Sequence, residues 1–105
     1  MKLFISPNSP YGRIARIAAI EIGLADRIEH IYVENRTHDN PLLQYSPVAR
    51  VPTLVFGDLV ISESRHICAY FDEFMGVRRF FPARHVDKWQ EVGLEGVVVG
   101  FLDGL

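Results

Sequence analysis

The sequence predicts a small mixed α/β sandwich, and three observations carry that reading. An apolar opening run, Met1 to Ile5, precedes a segment whose apolar residues Tyr11, Ile14, Ala15, Ala18 and Ile22 recur at three- and four-residue steps, the period of a helix buried on one face. A second apolar run, Ile28 to Val33, comes next, so the chain opens with a strand–helix–strand unit whose strands pair in parallel, because the helix carries the chain back to the starting end. Two further apolar runs, ending at Phe56 and beginning at Leu59, are joined by Gly57-Asp58, a pair that favours tight hairpin turns; an amphipathic helix closes the pattern.

Each element has local reasons. Ser9 suits the N-cap of the first helix, since its oxygen accepts an orphan N–H, and Pro10 suits the first helical position, where a missing N–H costs nothing. Gly23 is a natural stop before the second strand. The polar stretch Glu34 to Pro41 reads as a loop too long for a tight connection, which points to a site, with a short helical turn near residues 42–45. Ser62-Glu63-Ser64 opens the next helix, with Ser62 as the N-cap and Glu63 in the first turn. Ile67, Cys68, Tyr70, Phe71 and Phe74 form its buried stripe, and Gly76 ends it.

Residues 77–84 have linker character, although Phe80 and Phe81 require an anchor. A last helix is expected over residues 85–105. Gly93, Gly96, Gly100 and Gly104 each cost about 1 kcal/mol relative to alanine inside a helix, and their spacing puts them on one side, where a close-packed partner helix compensates. Trp89, Val92, Val97, Val99, Phe101 and Leu102 add apolar surface that a domain complete at residue 76 has no room to bury. This segment is therefore expected to pack against another chain or the remainder of a longer protein. Exposed Val97, Phe101 and Leu102 are expected to drive self-association, as a homodimer or a tail-exchanged oligomer.

Composition narrows the classes. A chain of 105 residues, 49% hydrophobic and 23% charged, holds one globular domain. No apolar run approaches the roughly 20 residues that span a bilayer, and the opening is too short for a signal peptide, so a cytoplasmic protein without a membrane partner is expected. A net charge of −2 provides no basic field for nucleic acid. The single cysteine, Cys68, excludes an internal disulfide and reads as a small buried hydrophobe. His30, His38, His66 and His85 lack ligand spacing, so no metal site is expected.

Ser9-Pro10-Tyr11, Ser46-Pro47, Arg50-Val51-Pro52-Thr53-Leu54 and Ile61-Ser62-Glu63-Ser64, in this order and spacing, resemble the N-terminal domain of glutathione S-transferases over about residues 1 to 83. The resemblance implies a thioredoxin-like βαβ-ββα fold with a mixed four-stranded sheet. The chain from Arg84 then looks like the first helix of the all-helical second domain, with more glycine than that helix usually carries. It implies glutathione as co-substrate rather than a cofactor, and an electrophile as the second substrate, which those enzymes bind in the helical domain.

Carried over by residue, Pro52 would be the cis proline that lets the Val51 backbone pair with the cysteinyl part of glutathione. Glu63 and Ser64 would hold the ammonium and carboxylate of its γ-glutamyl head. Arg50, helped by His38, would meet its glycyl carboxylate. Ser9 matches the catalytic serine of serine-type members, whose hydroxyl donates to the glutathione thiolate; Ser6 and then Tyr11 rank behind it for that role. Absence of any cysteine near Pro10 excludes a glutaredoxin-like reductase. A non-catalytic interaction module using the apolar last helix is the alternative, and the joint presence of Arg50, Glu63 and Ser64 weighs against it.

Overall fold

The computed structural model describes residues 1–34, 39–81 and 85–104. It contains β1 (Lys2–Ile5), α1 (Pro10–Glu21), β2 (Glu29–Tyr32), β3 (Thr53–Phe56), β4 (Leu59–Ser62), α2 (Ser64–Met75) and α3 (His85–Asp103), with short 3₁₀ turns at Ala25–Arg27 and Pro41–Gln44. The strands form one sheet in the order β2-β1-β3-β4. β1 runs parallel to β2, with Lys2 opposite Glu29 and Ile5 opposite Tyr32; β3 lies antiparallel to both β1 and β4. This is the mixed α/β, thioredoxin-like arrangement that the strand–helix–strand unit and the hairpin predict.

Alternation along the strands divides the core between the two faces of the sheet. Leu3, Ile5 and Leu54 point towards α1 and α2, where they meet Ala15, Ala18, Ala19, Ile67, Cys68 and Phe71. Phe4 and Val55 point the other way and meet Val33, Leu42 and Ala49. The Pro41–Gln44 turn brings Leu42 to that second face, and the buried Asn40 caps it by accepting from the Leu42 N–H at 2.9 Å.

Helix ends match the sequence pattern except at α2. Ser9 caps α1, its Oγ accepting from the Gly12 N–H at 3.0 Å. Gly76 closes α2 in the left-handed conformation at φ 66°, where a side chain would be strained. Ser62, however, is not the N-cap of α2. It is the last residue of β4, and its Oγ shares a 3.1 Å hydrogen bond with Thr53 Oγ1 across the hairpin, which leaves Glu63 in the cap position.

Beyond α2, buried Asp72 organises the segment that the sequence marks as a linker. Its carboxylate accepts from the backbone N–H groups of Arg79 (3.1 Å), Phe80 (3.0 Å) and Phe81 (3.3 Å), folding Phe80 and Phe81 onto the edge of the core. Arg79 Nη1 in turn donates to the Glu21 carbonyl at the end of α1.

α3 divides into two faces. Leu94, Val97 and Phe101 are exposed, whereas Val92, Val99 and Leu102 are half-buried. Leu102 therefore does not belong to the free apolar surface expected from the sequence, because it lies on the side of the helix turned to the body of the domain. Side chains added at Gly93, Gly96 or Gly100 would meet open space, so among the described residues nothing packs closely against that glycine side. No helix among the described residues is long and apolar enough to cross a membrane.

Candidate functional site

Four segments end at one side of the sheet and enclose a cleft of about 530 Å³. The first is the loop before β3. Thr53 Oγ1 donates to the Arg50 carbonyl at 2.6 Å and ties this loop to β3; Ala49 just before it has φ 46°, and the Val51–Pro52 peptide is cis. Pro52 is buried, while Arg50 remains exposed at the mouth.

The second segment is the start of α2. Glu63 has φ 76°, a region that residues with side chains rarely occupy, and its side chain makes no capping hydrogen bond. The first backbone bond of the helix runs from the Ile67 N–H to the Glu63 carbonyl at 3.0 Å. The amides of Ser64, Arg65 and His66 therefore have no acceptor within the helix, and they sit at the positive end of its dipole. With Ser64 buried and Glu63 exposed beside it, an anion acceptor and a cation acceptor stand next to each other.

The third segment is the first turn of α1, which supplies Tyr11. The fourth is α3, whose Val92, Glu95, Gly96, Val99 and Asp103 line the cleft at three- and four-residue steps. Arg65 Nε and Glu95 Oε2 pair at 3.6 Å across the mouth. The Tyr11 hydroxyl donates to Asp103 Oδ1 at 2.5 Å. That hydrogen bond to the carboxylate, more than partial desolvation or the charge of Asp103, pushes the Tyr11 phenol up to about 12.

Of the residues singled out in the sequence, Tyr11, Arg50, Val51, Pro52, Glu63 and Ser64 converge on this cleft. Ser9 does not line it. Ser9 lines a neighbouring hollow of about 470 Å³ between the start of α1 and α3, with Pro10, Arg13, Val98 and Leu102. One of the two Oγ lone pairs accepts from the Gly12 N–H, which leaves the Ser9 proton and a second lone pair for a ligand. Ser6 lines neither space. His38 lies outside the described residues.

Arg65, His66, Glu95, Val99 and Asp103 also border the cleft and were missed. Val92, Glu95, Val99 and Asp103 recur at helical spacing in the sequence, but the heavier apolar content of the same segment masks that mixed polar face. The cleft thus holds cations and carboxylates in comparable number, which suits a zwitterionic ligand better than a simple anion or cation.

A mixed four-stranded sheet of this order, with a cleft beside the loop before β3 and the start of α2, is the thioredoxin-like architecture of glutathione S-transferase N-terminal domains. The chain belongs to that family: the description "Glutathione S-transferase, N-terminal domain" matches residues 3–76. Among curated relatives, the stringent starvation protein A homolog of Haemophilus ducreyi is 38% identical over 73 residues, which are 70% of this chain and 33% of that protein. The homolog of Coxiella burnetii is 37% identical over 73 residues, 70% of this chain and 34% of its own. Among solved structures, a class Gtt2 glutathione S-transferase of Vibrio parahaemolyticus superposes with a TM-score of 0.74 at 30% identity, covering 93% of this chain and 49% of that one. A glutathione S-transferase of Methylobacillus flagellatus with GSH bound gives 0.72 at 28% identity, covering 83% and 43%. The chain spans about a third of the length of the curated relatives.

Proposed function

We propose that this chain binds glutathione in the cleft and serves as the glutathione-binding half of a transferase. The observation that carries the reading is the pairing at the start of α2, where amides without helical acceptors adjoin the exposed Glu63 carboxylate, which makes no capping hydrogen bond. An amino-acid head group carries one carboxylate and one ammonium, and this pairing meets both. Val51 then offers its backbone to the cysteinyl residue, and Arg50 meets the glycyl carboxylate. The likeness to a transferase solved with GSH bound supports glutathione as the ligand.

In the reaction the nucleophile belongs to glutathione. Its thiol loses a proton to solvent and the thiolate forms a carbon–sulfur bond to an electrophile; a leaving group departs where the electrophile carries one, and otherwise the anionic adduct takes up a proton from solvent. The chain holds the peptide and lowers the cost of the thiolate; Ser9, which borders the adjoining hollow, is the first candidate donor to the sulfur. A cytoplasmic setting and a homodimer or tail-exchanged oligomer belong to the same proposal.

Isothermal titration with millimolar glutathione tests it. Binding is expected in the wild type, weakened about tenfold in Glu63→Gln and in Ser64→Ala. No heat from the wild type, while a known transferase binds under the same conditions, contradicts the proposal. A conjugation assay then tests Ser9, since equal rates for wild type and Ser9→Ala remove it from the mechanism.

A second reading is favoured by the curated relatives, which bear the name stringent starvation protein A rather than transferase, and by the exposed outer face of α3. On that reading the fold is an interaction module and the apolar face is its partner surface. Glutathione binding with no conjugation of any electrophile tried would support it.

A further inference from the structure

α3 forms one wall of the cleft, yet its outward face is exposed and nothing packs against its glycine side among the described residues. Among the described residues, polar contacts tie the wall to the rest of the domain at Glu95 and at Asp103 with Val99. Arg65 and Glu95 make an exposed ion pair at 3.6 Å, the kind of contact that contributes little when water can replace it. The other contact is the Tyr11 hydroxyl, which reaches from the first turn of α1 to the last turns of α3, to Asp103 Oδ1 at 2.5 Å and to the Val99 carbonyl at 3.3 Å.

A phenol has one proton, and the short contact to a carboxylate takes it; the longer approach to Val99 receives the weaker share. Asp103 is placed where a carboxylate is disfavoured, in the last turn of a helix at the negative end of the dipole, and donation from Tyr11 offsets that cost. The pair therefore joins the first turn of α1 to the last turns of α3.

We propose that the Tyr11–Asp103 pair is the latch that positions α3 as a wall of the cleft, which makes Tyr11 a positioning residue rather than a donor to the ligand's sulfur. The proposal rests on the glutathione reading for its ligand, though not for the latch itself. A tyrosine that stabilises a thiolate works best with a free proton and a lowered pKa. Tyr11 has its proton engaged and its phenol pushed up, with the Glu63 charge adding to the effect of Asp103.

The test compares wild type, Tyr11→Phe, Asp103→Ala and the double variant in two measurements. Hydrogen exchange without ligand reads the latch directly: amides of residues 92–103 are expected to exchange faster in both single variants, and no faster in the double variant. Titration with glutathione reads the consequence: each single variant is expected to bind about fivefold more weakly, with no further loss in the double variant, and the thiol pKa of bound glutathione, followed by thiolate absorbance, is unchanged.

Unchanged exchange of α3 in Tyr11→Phe overturns the latch. A raised thiol pKa in Tyr11→Phe that is absent from Asp103→Ala overturns the positioning role and makes Tyr11 the sulfur's donor. Absence of glutathione binding in the wild type removes the glutathione reading alone, and the exchange measurement still decides the latch.

Discussion

Replacing Asp72 should cost more stability than replacing any exposed residue, because one buried carboxylate holds the amides of residues 79–81 after α2. Asp72 is 6% exposed and accepts from three consecutive backbone amides at 3.0 to 3.3 Å. A hydrogen bond to a charged acceptor contributes about 1.5 to 3 kcal/mol, and an amide left without its partner bears a desolvation cost when it is buried. Arg79 is exposed and Phe80 and Phe81 are half-buried, so water recovers part of the loss. The balance is about 3 kcal/mol for Asp72→Ala and about half of that for Asp72→Asn, which keeps one acceptor oxygen. Urea unfolding followed by circular dichroism measures it, with exposed Glu73→Ala as a control expected within about 0.5 kcal/mol of wild type. A loss below about 1 kcal/mol for Asp72→Ala, with an unchanged denaturant slope, would refute the claim that the carboxylate anchors this segment.

Burial raises the Cys68 thiol from 9.0 to about 11, so the native protein should resist a disulfide reagent at neutral pH and react promptly once unfolded; stoichiometric native labelling within seconds would contradict this. Because the folded-state value lies above the unfolded one, the associated stability is complete below pH 9 and is lost as the pH rises towards 11, and Cys68→Ala should remove that part of the alkaline slope in urea midpoints. At Glu63 the backbone has φ 76°, so Glu63→Gly should be more stable than Glu63→Ala by about 1 kcal/mol, the reverse of the usual order; equal midpoints would argue against strain there. With Leu94, Val97 and Phe101 exposed along one side of α3, the 105-residue chain should self-associate at micromolar concentration and Phe101→Glu should weaken that association; a monomer in sedimentation analysis is the contrary result.

Much of the fold was legible because each element carried its own local signal. Ser9-Pro10 marked the start of α1, Gly57-Asp58 the hairpin, and Gly76 the end of α2, and these are decided by contacts within a few residues. Ser62 escaped the local rule because its partner, Thr53, is nine residues away across the hairpin. Asp72 carries no local signal on α2, because its role depends on backbone amides seven to nine residues later. Within the site, the motif residues of the loop before β3 and of the start of α2 come together as their order and spacing imply. The contribution of α3 was hidden because it depends on long-range contacts: Tyr11 meets Asp103 from 92 residues away, a relation that no periodicity within either helix encodes.

The central claim is that the cleft between the loop before β3, the start of α2 and α3 receives glutathione. Amide chemical shifts followed by NMR during a glutathione titration test it most directly. Saturable shifts are expected at Val51 and at Ser64 to His66, with smaller ones at residues 92–103, and their loss is expected in Ser64→Ala. Shifts confined to the opposite side of α2, around Ala69, Arg78 and Lys88, or no shifts at millimolar glutathione, would contradict it.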